Sequence, residues 1–284
     1  MTIYARAGRI KCRMVKNGFA PVDGGELYYE VAGEGPAVVL GHAGIADCRM
    51  WDPQMAPFSE RYRVIRYDVR GFGRSSRPES EWSPHADLSA LLTHVGVERA
   101  AVIGVSMSGG IAIDFALAYP QMVWALVPVG AGLDGFDWSR DEALKRFGEE
   151  EKAELAAGKI GKAVELNVRM WVDGPSRRAD KVDAVVREKV REMQRAIFEK
   201  GEPSGQPLPL EPLAITRLEE IKAPTLALVG DKDLSAILEI TDLIADRVPG
   251  ARKAVIRNTA HVPSMERPEE FNRLVLEFLD SVRP

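Results

Sequence analysis

The chain has 284 residues, of which 45% are hydrophobic and 28% charged, so it is unlike disordered, collagen-like or coiled-coil proteins. Its 38 lysines and arginines against 42 aspartates and glutamates give a formal net charge of −4, which disfavours nucleic-acid binding. We therefore expect one large domain, or one domain with a sizeable insertion.

Two cysteines, Cys12 and Cys48, are too few for a disulfide framework, and they favour a reducing compartment. No run approaches the roughly 18 consecutive apolar residues that a membrane span requires. The basic N-terminal segment lacks the apolar stretch of a secretory signal. We expect a cytoplasmic protein without membrane contact.

Short apolar runs alternate with longer helical patterns along the chain. The predicted strands are Leu27–Val31, Ala37–Leu40, Tyr62–Tyr67, Ala100–Val105, Trp124–Val129, Thr225–Val229 and Ala254–Ile256. The predicted helices are Asp87–Val95, Met107–Tyr119, Ser235–Val248 and Pro268–Val282. Several strands are continuously apolar, which is typical of strands buried on both faces. This alternation predicts an α/β fold, a mostly parallel sheet with helices on both faces.

The segment 134–218 breaks the alternation, because it is helical, strongly charged and ends in a loop rich in proline and glycine. We predict an N-terminal extension over residues 1–20, a core over 21–133 and 219–284, and a helical cap, or lid, over 134–218. The extension could be a short extra strand or a disordered tail. A solvated helical insertion is the plainer interpretation, and the two are compatible.

One serine lies where an apolar strand meets a helix. Strand Ala100–Val105 is followed by Ser106 among small residues, which permits a tight turn that exposes the serine at the sheet edge. The pattern G-x-S-x-G is met except at its last position, which is Ser108. We favour Ser106 as a nucleophile, because Ser108 falls inside the first helical turn. A helix cap without chemistry is the alternative role.

A serine hydroxyl needs a base, and the base needs an orienting acid. The chain has four histidines, and His261 follows the last strand, where it would reach the same edge as Ser106. His42 follows a buried strand and is expected to shape its loop. His85 lies in a polar loop, and His94 is late in a helical pattern.

Two aspartates follow the strand Thr225–Val229. We choose Asp233 as the acid because it is further from the strand and can project toward His261. Asp231 remains an alternative for this role. Either aspartate could instead cap the helix that begins at Ser235.

The turn after strand Ala37–Leu40 is built from small residues, so its backbone N–H groups can point at developing negative charge. We expect the N–H groups of Gly44 and Met107 to form an oxyanion hole.

With these features the chain resembles the α/β-hydrolase family, and most closely its carboxylesterase and enol-lactonase branch. The chain order Ser106, Asp233, His261 is that family's order. The resemblance runs from about Pro21 to near the C-terminus. Further matching stretches are Gly41-His42-Ala43-Gly44, Trp51-Asp52-Pro53-Gln54 and Tyr67-Asp68-Val69-Arg70-Gly71-Phe72-Gly73-Arg74-Ser75.

The resemblance implies that Asp68 and Arg70 are structural. Ala43 and Ser108 replace glycines of the family pattern, and both replacements are small. A serine at the nucleophile position argues against haloalkane dehalogenases and epoxide hydrolases, which need a carboxylate there.

The function expected from the resemblance is hydrolysis of a small to medium carboxylic ester or lactone through an acyl-enzyme. No metal or organic cofactor is expected, since spacings such as C-x-x-C or H-E-x-x-H are absent from the sequence. Carbon–carbon bond hydrolases, cofactor-free perhydrolases, hydroxynitrile lyases and non-catalytic ligand receptors share this framework and remain alternatives. The substrate pocket is expected to include Trp138, Met170, Trp171 and Val262, although these residues could equally pack the lid.

Overall fold

A computed structural model describes residues 15–201 and 203–284 of the chain. The strands are β1 (Lys16–Val22), β2 (Gly25–Ala32), β3 (Ala37–Gly41), β4 (Arg63–Tyr67), β5 (Ala100–Val105), β6 (Val123–Val129), β7 (Leu226–Gly230) and β8 (Arg252–Ile256). The α-helices are α1 (Asp52–Ser59), α2 (Pro84–His94), α3 (Met107–Ala118), α4 (Glu142–Ala156), α5 (Ile160–Asn167), α6 (Ala184–Glu199), α7 (Ser235–Arg247), α8 (Pro263–Glu266) and α9 (Pro268–Val282).

The strands form one sheet in the order β1-β2-β4-β3-β5-β6-β7-β8. Strands β1 and β2 run antiparallel to their neighbours, and the pairs from β4 to β8 are parallel. Strands β3, β5, β6 and β7 are buried at every position, as their continuously apolar sequences predict. The predicted α/β fold with a mostly parallel sheet is confirmed.

Helices cover both faces of this sheet. Helices α2, α3 and α7 contribute apolar side chains to the core on one face, and α1 and α9 contribute to the core on the other. In a parallel sheet the strands' carboxyl ends share one edge, so the turns after β3, β5, β6, β7 and β8 lie along that edge. Residues distant in sequence are thereby brought together.

Three elements have no counterpart among the predicted helices and strands: β1, α1 and the four-residue α8. Strand β1 alternates in exposure and pairs with β2 across a turn at Gly24, whose φ of 71° suits glycine. Residues 16–20 therefore belong to the sheet rather than to an extension, while residues 1–14, with Cys12, lie outside the described ranges. Helix α1 was missed because it carries Pro53 and Pro57 and has little amphipathic pattern.

The segment 134–218 contains α4, α5 and α6 and a π-helical segment, Val168–Asp173, that continues α5. It lies between β6 and β7, and we call it the cap segment below. Helix α6 buries Val186, Val190 and Met193 against the core. Among the described residues, none of the helices combines the length and apolarity needed to cross a bilayer.

Candidate active site

Ser106 occupies a strained turn between β5 and α3. Its φ of 57° and ψ of −115° lie outside the regions that side-chain-bearing residues favour, which costs about 1–3 kcal/mol. A Cβ at Gly104 would lie 2.0 Å from the carbonyl oxygen of Ser108, so only glycine permits this turn. The surrounding fold therefore holds the Ser106 side chain above the strand end.

Ser108 lies inside the first turn of α3, as expected. Its side chain is buried, and a Cβ at Gly41 would lie 2.6 Å from the Ser108 Cβ. Ser108 thus packs against β3 and does not line the cavity that Ser106 lines.

Asp233 and His261 are in direct contact. The Asp233 Oδ2 and the His261 Nδ1 are 2.8 Å apart, and each side chain is only 2% exposed. Asp231 instead accepts a hydrogen bond from the Asn258 N–H and pairs with Lys232, so it stabilises the turn before the histidine. Helix α7 begins after Leu234 without a side-chain cap, so neither aspartate caps it.

The second ring nitrogen of His261, Nε2, is not bonded to Asp233. Because the Asp233 carboxylate accepts at Nδ1, the proton belongs on Nδ1 and Nε2 keeps its lone pair. This Nε2 is buried and has no hydrogen-bond partner among the described residues. His261 and Ser106 line the same cavity of about 350 Å³, which is called the reaction cavity below. The imidazole is thus available to accept a proton there.

Trp171 holds the histidine from the cap side. Its ring centroid lies 4.5 Å from that of His261. Its backbone carbonyl oxygen accepts a hydrogen bond from the backbone N–H of His261 at 3.1 Å. Trp171 also lines the reaction cavity. An aromatic ring at this position excludes water from the Asp233–His261 pair.

Gly130, which the sequence analysis missed, makes room for the Asp233–His261 pair at the end of β6. Its φ is 48°, and a Cβ there would lie 3.1 Å from the Asp233 Oδ2 and 3.4 Å from the His261 Nδ1. The sequence did contain a signal for this role, because Gly130 is a glycine directly after a buried strand.

The turn after β3 approaches the start of α3. A Cβ at Gly44 would lie 3.9 Å from the Met107 Cβ, and Gly44 lines the cavity beside Ser106. No acceptor within residues 15–201 or 203–284 binds the N–H of Gly44 or Met107. Both N–H groups can therefore donate to an oxyanion, aided by the positive end of the α3 dipole.

His42 is buried beneath this turn and has both nitrogens engaged. The Val69 N–H donates to Nε2 at 2.9 Å, so Nδ1 carries the proton and donates to the Ala43 carbonyl at 2.9 Å. Burial lowers the pKa of His42, which keeps the imidazole neutral. His42 thus shapes its loop. The ring of His85 packs near Tyr119, and the ring of His94 packs near Tyr29.

The four predicted pocket residues occupy different places. Trp171 lines the reaction cavity, whereas Trp138 lines an adjoining cavity of about 680 Å³. Met170 packs against a small apolar cluster that includes Leu234, and Val262 is fully buried in the core. Neither Met170 nor Val262 is among the residues that line the two cavities. We therefore leave both out of the pocket.

The adjoining cavity shares two walls, Phe72 and Ile197, with the reaction cavity. Met107 also lines the adjoining cavity, so that cavity extends to one of the two proposed oxyanion donors. Two carboxyl groups line its wall, Asp114 and Asp134. Burial raises the pKa of Asp114 to about 7. The larger cavity offers space for a substrate moiety beyond the reacting carbonyl.

Three polar residues of the cap segment also line the reaction cavity and were missed from sequence: Glu151, Asn167 and Gln194. We call them the roof cluster. Asn167 and Gln194 are each 3% exposed. A polar residue on the buried face of an amphipathic helix, as Gln194 is beside Met193, was the available signal.

A buried ion pair joins the cap segment to the loop of His261. Arg177 and Glu266 are 2.7 Å apart, with side chains 9% and 6% exposed. Arg177 also donates to the Val172 and Asn258 carbonyls, and Glu266 accepts the Ala260 N–H. Burial raises the pKa of Glu266, against the lowering effect of Arg177.

One group of potential metal ligands in the described chain is Asp47, Cys48 and Asp68. Their oxygens are already engaged: Asp47 pairs with Arg49, and Asp68 accepts the N–H groups of Cys48 and Arg74. Burial raises the pKa of the Cys48 thiol far above its usual value, which disfavours the thiolate that metals bind. We assign this group a structural role.

Comparisons with known proteins cover nearly the whole chain. The model of the "Alpha/beta hydrolase family" matches residues 38–274. A protein of Azorhizobium caulinodans named "Putative carbamate hydrolase RutD" is 30% identical over 264 residues, which are 90% of this chain and 96% of that protein.

Two solved structures share the fold. The enol-lactonase from Burkholderia xenovorans LB400 has a TM-score of 0.76 and 23% identity, covering 93% of this chain and 100% of that chain. A thermophilic esterase from Thermogutta terrifontis has a TM-score of 0.75 and 25% identity, covering 95% of this chain and 100% of that chain. The resemblance inferred from the sequence is thereby confirmed.

Proposed function

The chain belongs to the alpha/beta hydrolase family, and from this premise we propose that it is a serine hydrolase that cleaves a carboxylic ester or lactone. One observation carries the proposal. The buried His261 is bonded to Asp233 through Nδ1, its Nε2 has no hydrogen-bond partner among the described residues, and it lines the same cavity as Ser106. Such an imidazole is suited to take a proton from a serine hydroxyl.

The proposed reaction has two halves. The Ser106 Oγ attacks the substrate carbonyl carbon as its proton passes to the His261 Nε2, and Asp233 stabilises the imidazolium that forms. The tetrahedral oxyanion accepts hydrogen bonds from the N–H groups of Gly44 and Met107. His261 then protonates the leaving alcohol, and the acyl-enzyme remains on Ser106. Water, activated by His261, attacks the acyl carbon and releases the acid.

We also propose a small-molecule substrate and a cytoplasmic location. The substrate proposal is supported by the two adjoining cavities of about 350 and 680 Å³, a size that small ligands fill. The location proposal is supported by the low cysteine count of the sequence. All groups in the proposed mechanism belong to the chain itself.

Carbamate hydrolysis is a second candidate, favoured by the 30% identity to the relative named for that activity. A carbamate carbonyl would meet the same nucleophile and oxyanion donors. Comparing p-nitrophenyl acetate with a p-nitrophenyl carbamate of equal size separates the two: the preferred substrate has the higher kcat/KM once each rate is divided by its uncatalysed rate.

The proposal is tested with p-nitrophenyl acetate and two serine variants. We expect Ser106→Ala to lower kcat by at least about 10³-fold, because the nucleophile is lost. Ser108→Ala is the matched control and should stay within a few-fold of the wild type, since Ser108 packs outside the cavity. Equal nitrophenol release by the wild type and Ser106→Ala would contradict the proposal and favour a non-catalytic receptor.

A further inference from the structure

Trp171 brings an aromatic ring of the cap segment onto the proposed base. It lies in the π-helical segment Val168–Asp173. The centroids of its ring and of the His261 ring are 4.5 Å apart, and the ring planes are tilted by 40°. This distance falls within the roughly 6 Å over which a cation interacts with an aromatic π system, and tryptophan provides the strongest such interaction. A positive charge on His261 is therefore close enough to interact with the indole.

Hydrogen bonds hold this contact in place. The Trp171 carbonyl oxygen accepts the backbone N–H of His261 at 3.1 Å. Arg177 donates to the carbonyl oxygens of Val172 and Asn258, each at 2.6 Å. Arg177 thus ties the residue after Trp171 to the loop that precedes His261. The fold itself sets the indole against the imidazole, so the reaction needs no rearrangement to bring the two rings together.

The proposed reaction places a positive charge on His261 twice. The first charge forms when the imidazole takes the proton of Ser106, and the second when it takes a proton from water. Asp233 compensates this charge at Nδ1. The His261 side chain is only 2% exposed, so water contributes little to solvating the imidazolium. A buried cation depends on the groups around it for compensation, and the Trp171 ring is in direct contact.

An aromatic cover has two opposite effects on an imidazolium. By excluding water it opposes the charged form, as any apolar side chain would. By the negative face of its π system it favours the charged form, which an aliphatic side chain does not. The first effect depends on the shape of the side chain, and the second depends on the electron density of the ring. The two effects can therefore be separated by experiment.

Resting on the proposed hydrolase function, we propose that Trp171 is a positioning residue that acts through His261, because its π system stabilises the imidazolium. The effect operates in both halves of the reaction, since each half passes through the protonated base. The cap segment thereby contributes to the chemistry as well as to the walls of the cavity.

Fluorinated tryptophans test the π system with little change in ring shape, because fluorine withdraws electron density from the ring. The protein is produced with mono-, di- or tetrafluorotryptophan at all five of its tryptophans, and hydrolysis of p-nitrophenyl acetate is measured. We expect kcat to fall at each step, by about ten-fold over the series, because the cation–π interaction weakens. The KM should stay within about two-fold of the wild type, since the effect is on the base and not on substrate binding.

Trp171→Phe carrying the same analogues is the matched control. Its other four tryptophans are fluorinated as in the wild type, and kcat should show no trend along the series.

A pair of substitutions provides an independent measurement. Trp171→Phe keeps a smaller π system at this position, whereas Trp171→Leu leaves an apolar side chain without one. We expect the kcat of Trp171→Phe to exceed that of Trp171→Leu by about ten-fold. Urea unfolding is measured for both variants, and their kcat values are compared under conditions in which both are folded.

The results separate the two proposals. If kcat does not respond to fluorination, or responds equally in Trp171→Phe, the Trp171 proposal is overturned and the hydrolase function stands. The same conclusion follows if fluorination changes only KM, or if Trp171→Leu is as active as Trp171→Phe. If the wild type does not hydrolyse the ester, or if Ser106→Ala hydrolyses it equally well, the serine hydrolase function fails and the Trp171 proposal falls with it.

Discussion

Asp233 and Asp231 lie two residues apart at the end of β7, and the sequence favours Asp233 only by its greater distance from the strand that both follow. In the structure the side chains diverge: Asp233 reaches the His261 Nδ1, and Asp231 bonds to the backbone at Asn258. The backbone geometry between the two positions decides the roles, and a sequence pattern does not contain it.

Exchanging each aspartate for asparagine tests this assignment. We expect Asp233→Asn to lower kcat by about 10³–10⁴-fold, because the amide no longer fixes the histidine tautomer. Asp231→Asn should retain activity within about ten-fold, since it disturbs only the supporting turn. Ester hydrolysis by both purified variants measures this, and a larger loss in Asp231→Asn would reverse the assignment.

Gly130 provides a residue-scale prediction on stability and activity together. Gly130→Ala adds a Cβ at a φ of 48°, close to both Asp233 and His261, so we expect a loss of about 1 kcal/mol in the free energy of unfolding and a fall in kcat. Gly250→Ala is the control, because its φ is 71° but nothing lies within 4 Å of the new Cβ. Urea unfolding should show similar losses in the free energy of unfolding for the two variants. The kcat for ester hydrolysis should fall only in Gly130→Ala. Unchanged kcat in Gly130→Ala would contradict the assigned role.

At the scale of elements, the ion pair between Arg177 and Glu266 joins the cap segment to the loop that carries His261. Arg177→Met leaves the buried Glu266 without its cation, and we expect a loss of about 3 kcal/mol in the free energy of unfolding. Adding Glu266→Gln should recover part of that loss, since the stranded carboxyl group becomes a neutral amide.

In the wild-type background the same Glu266→Gln change should instead destabilise, because it weakens a formed pair. Urea unfolding of the two single variants and the double variant measures this coupling. Purely additive changes would show that the pair does not act as a unit.

The elements also show what periodicity can and cannot predict. Strand β5 and helix α9 have the predicted bounds, because a continuously apolar run and a proline-glutamate helix start are strong local signals. Strand β1 was missed since its residues are mostly exposed and its sequence, KNGFAPV, contains a glycine and a proline. The roof cluster was missed because it depends on how the cap helices fold over the sheet, which no local pattern reports.

At the scale of the whole molecule, Asp114 makes stability depend on pH. In the folded chain this carboxyl group has a pKa of about 7, against 3.8 for an unperturbed aspartate. Between these values the folded state holds a proton that the unfolded state has released, so the free energy of unfolding falls as pH rises through this window. The carboxylate thus opposes folding above about pH 7.

Asp114→Asn should remove this dependence. We expect its stability advantage over the wild type to grow by ~2 kcal/mol between pH 5 and pH 8. Asp246→Asn, at an exposed position of α7, is the control and should follow the wild type. Urea unfolding at the two pH values provides the measurement, and an advantage for Asp114→Asn that shrinks toward pH 8 would contradict the sign.

The arrangement of the whole chain follows from its sheet. Three side chains from positions 106, 233 and 261 reach one edge because the strands before them are parallel neighbours or near neighbours. Sequence order and strand ends were enough to predict that Ser106 and His261 lie near each other, and their roles as nucleophile and base stay predictions. The division into a core and a cap stays a prediction, and so does the acyl-enzyme chemistry.

Covalent labelling tests the acyl-enzyme on Ser106 most directly. The wild type is treated with a p-nitrophenyl phosphonate, digested and analysed by mass spectrometry. We expect one phosphonyl adduct, on the peptide that contains Ser106, with none in Ser106→Ala and much slower formation in Asp233→Asn. An adduct on Ser108 or on another residue, or no adduct while ester hydrolysis proceeds, would contradict Ser106 as the nucleophile.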